Sequence, residues 1–204
     1  MFLKIFWRLG VVTIALAILF LSVTRAGLEL IAQEGGTDLL KKQEINFLVT
    51  TRDGETVPST YKFPEAGMLP DNVMYGFKRV RDYFWVVFSG GINKAKLSVL
   101  MADKKVVEYS ELVEKDKNDL AIESGNEAID KLEYADGLVT KMTQADDQIK
   151  QIRQQLFLAG FAYKESFIKY ETKFSFEGDK YSKLINRIDE RNKDQEAKRY
   201  SWDY

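Results

Sequence analysis

From Asp71 almost to the last residue, apolar side chains return every three or four positions, and that period commits most of the 204-residue chain to amphipathic helices. Such spacing lines one helix face with side chains that must be buried against a neighbour. Val73, Phe77, Val80, Phe84 and Val87 make the first stripe, and Ser89-Gly90-Gly91 ends it. Ile92, Ala95, Val99, Ala102, Val106, Tyr109 and Val113 make the second. Beyond the polar turn "EKDKND", Ala121, Gly125, Ala128, Leu132, Ala135, Val139 and Met142 repeat the spacing with small residues at alternate steps. Large side chains facing small ones predict close antiparallel packing. Thr143 with Asp146 resembles a capping box, and it opens a segment carrying Ile149, Ile152, Leu156, Ala159, Tyr163 and Tyr170. Phe157, Phe161, Phe167 and Phe174 widen that stripe beyond what one neighbour need cover, which predicts a partner or a second copy over the excess. After Gly178-Asp179 only Tyr181, Leu184, Ile185 and Ile188 form an apolar face, and the charged "DERNKDQEAKRY" predicts a solvated end. The expected class is therefore all-α, with an antiparallel bundle of four to five helices over 69–204.

The N-terminus has a different character. "LGVVTIALAILFLSV", from Leu9 to Val23, carries no charge and follows Lys4 and Arg8, as in an export signal or a membrane anchor. With Ile5, Phe6 and Trp7 the apolar stretch approaches the ~20 residues of a transmembrane helix. Cleavage would use "VTRA" before Gly27, with Arg25 inside the small-residue site, so retention is expected. Basic residues on the N-terminal side place the rest of the chain outside the cytoplasm, on a single-pass anchor in the cell membrane. Residues 1–34 thus form the anchor or signal segment. Residues 35–68 are expected to be a linker, within which "EINFLVTTRDGETVPSTYKF" suits either a hairpin turning at Asp53-Gly54 or an extended connection. Pro58 would confine the second arm to a sheet edge, and an isolated hairpin is marginal in water.

Chemistry is limited by what the chain lacks. It has no cysteine and no histidine, so thiol nucleophiles, Ser-His arrangements and the usual zinc and haem ligands are excluded. Lys and Arg number 30 against 31 Asp and Glu, a balance that gives no reason to expect nucleic acid as a partner. Carboxylates recur in Asp146-Asp147, in Asp130 with Glu133 and in "RIDER", yet they alternate with lysines as a solvated face does. No segment has calcium-loop spacing, and Gly35-Gly36 and Gly90-Gly91 lack the context of a phosphate loop. No catalytic residue, cofactor or metal is expected.

The stretch "LPDNVMYGFKRVRDYFWVVF" asks whether it folds or binds. Asp71 suits the N-cap of the first helix after Pro70, and Phe77, Val80 and Phe84 are expected in the core. Lys78, Arg79 and Arg81 beside Tyr83, Phe84, Trp85 and Phe88 also suit an interfacial helix, but apolar residues at helical spacing more often pack on other helices. The stretch resembles the "LPDSPLYFLKRLxE" signature of an uncharacterised bacterial domain family. Leu69, Pro70, Asp71, Tyr75, Phe77, Lys78 and Arg79 carry the likeness, and "NKAKLSVLMADKKVVEY" extends it through Ala95, Leu97, Ala102 and Val106, so that it spans Leu69 to Met142. Asn72-Val73 replaces Ser-Pro, Gly76 takes an apolar position and Gly90-Gly91 replaces an acidic residue and Pro, which implies weaker helix starts. The resemblance implies exported or membrane-anchored helical domains and supplies no activity. The expected function is a membrane-anchored, extracytoplasmic interaction or structural module of the bacterial envelope, working through a protein partner or self-association. The alternative is a carboxylate-dependent hydrolase acting on cell-wall polymer.

Overall fold

Ile45, Phe47 and Val49 alternate with Glu44, Asn46 and Leu48, a period of two that gives a strand one buried and one solvated face. The structure, a computed structural model, describes residues 43–50, 54–142, 146–174 and 178–199. In it β1 (Gln43–Thr50) pairs antiparallel with β2 (Thr56–Phe63), from Gln43 opposite Phe63 to Thr50 opposite Thr56. Gly54 supports the turn with φ of 81°, while Asp53 lies outside the described residues. Pro58 faces Leu48 in this sheet, where among the described residues each strand has an unpaired edge.

The all-α expectation is corrected here: the chain is mostly helical with a small two-stranded sheet, and the hairpin is no linker. Ile45, Phe47, Val49, Tyr61 and Phe63 are buried in the same core as the helices. The helices are α1 (Tyr75–Phe88), α2 (Gly91–Glu114), α3 (Asn118–Thr140), α4 (Asp147–Ile168) and α5 (Gly178–Arg199), with a 3-10 turn at Glu171–Phe174.

α2 and α3 form the hairpin their stripes predict. Every stripe residue from Ala95 to Val113 and from Ala121 to Val139 is buried. The turn between them is a Schellman closure, in which the Lys117 amide donates to the Leu112 carbonyl (2.9 Å) and the Asp116 amide to that of Val113 (3.0 Å). Asp116 takes the left-handed position with φ of 55°, a conformation that Asp tolerates better than most residues. Between Leu97 and Val113, α2 is buried nearly all round, charged residues included.

α4 starts one turn later than the capping-box reading implied. Asp146 itself is the N-cap and accepts from the Gln148 amide (3.1 Å), and Thr143 lies outside the described residues. The surplus aromatic width of α4 meets this chain's own hairpin. Phe161 stacks on Phe47 at 6.5 Å and Tyr163 packs on Phe63 at 5.9 Å, while Phe174 stacks on Tyr109 and Tyr181. The excess that seemed to call for a partner is therefore covered internally.

α5 is docked as far as Gln195, further than the expected solvated tail allows, while residues 196–198 are exposed. Arg191, Asn192 and Gln195 are buried, and the polar ends of the first two reach partners on α3 and α4. The Arg191 guanidinium donates to Asp136 (2.7 Å) and to the Leu156 carbonyl (3.0 Å), and the Asn192 amide donates to the Gly160 carbonyl (3.0 Å). Burial pushes the Asp136 carboxyl up, in spite of Arg191 beside it. A Cβ at Gly160 would stand 2.1 Å from Asn192 Oδ1, so a side chain there would displace the Asn192 amide from its place against α4.

Candidate functional site

Two charges on α2 organise the region that carried the signature. Lys105 and Glu108 are one turn apart on the same face and pair at 2.8 Å, with Glu108 fully buried. α1 lays Tyr75 and Lys78, also one turn apart, across them, and α3 adds Glu127. The Tyr75 hydroxyl donates to Glu108 Oε2 (2.9 Å), and Lys105 reaches both Tyr75 Oη and Glu127 (2.6 Å). Lys78 pairs with Glu108 Oε1 and donates to the Ala66 and Met68 carbonyls at 2.9 and 3.0 Å. Each ammonium thus has three acceptors, and both oxygens of Glu108 are occupied. Burial alone would lower the Lys105 ammonium, but Glu108, Glu127 and Tyr75 together hold it above its usual value. Burial also pushes the Tyr75 phenol up to about 12, against the pull of Lys105.

A cleft of about 360 Å³ opens beside this cluster, bordered by Arg79, Lys104, Lys131, Glu127 and Asp130. Glu108 and Glu127 approach each other there, as a carboxylate pair in a hydrolase would. Both, however, are paired with Lys105, at 2.8 and 2.6 Å. The chemistry that suits the cluster is that of a polar clamp fastening α1 to the bundle. Among the described residues no group of three His, Cys, Asp or Glu is placed to hold a metal ion.

The signature residues divide among three tasks. Leu69 is buried, its carbonyl accepting from the Asn72 amide (3.0 Å), and with Pro70 it shapes the turn into α1. Asp71 is not the N-cap: α1 starts at Tyr75, and Asp71 pairs instead with Lys117 (2.7 Å) and Lys115 (3.5 Å) of the α2–α3 turn. The hydrogen bond from Lys117 holds the Asp71 carboxyl below its usual value. Asn72 closes a local turn ahead of the helix, its side chain accepting from the Met74 amide (2.9 Å). Tyr75 and Lys78 form the clamp, and Arg79 makes a loose 3.8 Å contact with Glu127.

Phe77 does none of these, and neither does the rest of its stripe. Phe77 is 72% exposed, Val80 56% and Phe84 43%, so the expectation of a buried stripe is corrected. The helix is turned over. Tyr75, Lys78, Asp82, Trp85 and Val86 face inward, and Val73, Phe77, Val80, Phe84, Val87 and Phe88 face solvent. Magnitudes explain the choice. Burying one phenylalanine stabilises by about 1.5 to 3 kcal/mol. Laying that stripe over Glu108 and Lys105 would instead strip two buried charges of their Tyr75 and Lys78 partners, at several kcal/mol each. Phe77→Ala is accordingly expected to change the unfolding free energy by no more than about 0.5 kcal/mol. A loss above about 2 kcal/mol in urea unfolding would show that the face is buried after all.

A second buried cluster was not legible as a site. Asp103 on α2 accepts from Tyr61 (3.0 Å) and from Tyr163 (2.7 Å), tying hairpin and α4 to one carboxylate. Burial first, and then Asp103, raise both phenols well above their usual value, so both remain donors. The one available signal was the charged "ADKK" between the apolar runs "LSVLM" and "VV". Among the described residues no helix is long and apolar enough to cross a membrane, and the run from Leu9 to Val23 lies outside them. No protein-family model, curated protein or solved structure matches the chain.

Proposed function

We propose that this chain is a membrane-anchored, extracytoplasmic helical module of the bacterial envelope that works by contact and not by catalysis. The observation that carries this reading is α1, whose polar side is spent on the clamp while its apolar side is presented outward. A surface of that kind suits recognition. The uncharged run from Leu9 to Val23 behind Lys4 and Arg8 supports the anchor and the orientation. The likeness of Leu69-Pro70-Asp71 and its neighbours to an exported bacterial family points the same way. The competing reading is a carboxylate-dependent hydrolase of cell-wall polymer, using Glu108 and Glu127 in the cleft.

Expression in a bacterial host tests both. The expected result is a full-length chain in the membrane fraction whose folded part is removed by protease added outside the cell. A soluble product beginning near Gly27 would overturn the anchor. Turnover of wall polymer by the purified chain, lost in Glu127→Gln with folding intact, would replace the contact reading with the enzyme.

A further inference from the structure

We infer that the outward face of α1 rests on the lipid surface itself, so that the domain touches the membrane at a second point besides its anchor. The inference rests on the anchored reading above and adds to it the occupant of the exposed stripe.

The distribution of residues around α1 is that of an interfacial helix. At 100° per residue, Phe77, Val80, Tyr83, Phe84, Val87 and Phe88 fill one continuous arc of α1 of roughly 140°. Arg79 borders that arc beside Tyr83, and Arg81, paired with Asp82 at 2.8 Å, borders it beside Phe88. Guanidiniums at the two edges and aromatics between them match a headgroup layer, where the charges reach phosphate and the rings enter the acyl boundary. Phe84 and Phe88 stack at 5.8 Å and Tyr83 meets Phe84 edge-on at 5.8 Å, so the apolar arc is already organised. The opposite side of the helix is fixed by Tyr75 and Lys78, so it cannot roll over to hide these rings without breaking the clamp.

Area and chain length favour lipid over a second copy. A helix of 14 residues is ~21 Å long, and a strip ~10 Å wide along it offers ~200 Å². A stable dimer buries about 800 Å² on each partner. A few inserted rings suffice, by contrast, when another element already holds the chain at the bilayer, because membrane attachment through two weak elements is cumulative. Residues 24–42 separate the uncharged run from β1 and span at most ~65 Å when extended. A domain tethered that closely is never far from the bilayer surface, so the local concentration of lipid exceeds that of any free partner.

The absence of cysteine makes the test direct. Phe77→Cys and Phe84→Cys in the full chain each give a unique site for a nitroxide label, with Lys183→Cys on α5 as the control. The labelled chains are reconstituted into vesicles of phosphatidylethanolamine and phosphatidylglycerol. Accessibility to oxygen, which enters lipid, is compared with that to a water-soluble nickel complex. The expected result is exclusion of nickel with retained access for oxygen at positions 77 and 84, at a depth of about 5 to 10 Å, and free access for nickel at 183. Exclusion of both reagents at 77 and 84 would mean that protein covers the face, whether a second copy or this chain's own N-terminal run, and would overturn the inference. Free nickel access at 77 and 84 in chains that float with the vesicles would overturn it alone and leave the anchor standing. Chains that fail to float would overturn the anchored reading and this inference together. Both substituted positions are exposed, and unfolding curves matching the parent would exclude a folding defect as the cause of any outcome.

Discussion

A Glu108→Ala chain is expected to lose about 3 to 5 kcal/mol of stability, a large part of the 5 to 15 kcal/mol that an ordinary domain possesses. The carboxylate is fully buried, and it is the shared acceptor for Lys78, Lys105 and the Tyr75 hydroxyl. Removing it leaves two ammoniums close together in a site where only Glu127 still opposes them. The cost comes from stranding charge and far exceeds the value of the lost methylenes. Urea unfolding followed by tyrosine and tryptophan emission measures it. Because the clamp fastens the first turn of α1, amide exchange in α1 should also rise well above that in α3 before global unfolding. A double variant, Lys105→Met with Glu108→Leu, removes both signs of charge and should recover part of the loss. A Glu108→Ala chain within about 1 kcal/mol of the parent would mean that the cluster is solvated and the clamp unimportant.

The second large effect concerns the hairpin. Phe63→Ala should cost about 3 to 5 kcal/mol, the usual penalty for emptying a phenylalanine site in a core. Phe63 is fully buried, with the rings of Tyr61 at 5.0 Å and Tyr163 at 5.9 Å. If residues 43–63 were a connecting segment lying on the surface, the same substitution would be nearly silent. Leu48→Ala supplies the contrast, because Leu48 is on the outer face and should change stability by no more than about 0.5 kcal/mol. Equal effects at the two positions would refute the assignment of the hairpin to the core.

The sequence disclosed those parts of the fold in which apolar residues face apolar residues. The stripes of α2 and α3 were legible from Ala95 to Val113 and from Ala121 to Val139, because apolar residues fill those sides of both helices. The hairpin was half legible: its alternation was visible, but the helix it would cover was not, so the aromatic surplus on α4 pointed outward to a partner. The two belong together, since Phe47 and Phe63 are what that surplus awaited. α1 was misread for a different reason. Periodicity locates a stripe but does not say which side of the helix turns inward, and here Lys105 and Glu108 recruit the polar side. Those charges appear in sequence as ordinary surface residues. So do Arg191 and Asn192, which looked like part of a solvated tail and are instead held by Asp136, Leu156 and Gly160.

The Asp103 cluster bears on the order in which the chain folds. Its two hydroxyls come from 42 residues upstream and 60 downstream, so the cluster exists only once both long loops have closed. α2 and α3, joined by three residues, need almost no closure entropy and are the natural nucleus. The hairpin, which is marginal alone, gains its stability on docking and is expected to arrive after the rate-limiting barrier. In a kinetic experiment Phe63→Ala should then hasten unfolding and leave refolding nearly unchanged, whereas truncation of Leu132 on α3 should slow refolding. A slower refolding limb for Phe63→Ala would place the hairpin in the nucleus instead. On the expected order, each unfolding excursion begins with the release of the strands, so the lifetime of the folded chain depends on two tyrosines and the carboxylate they share.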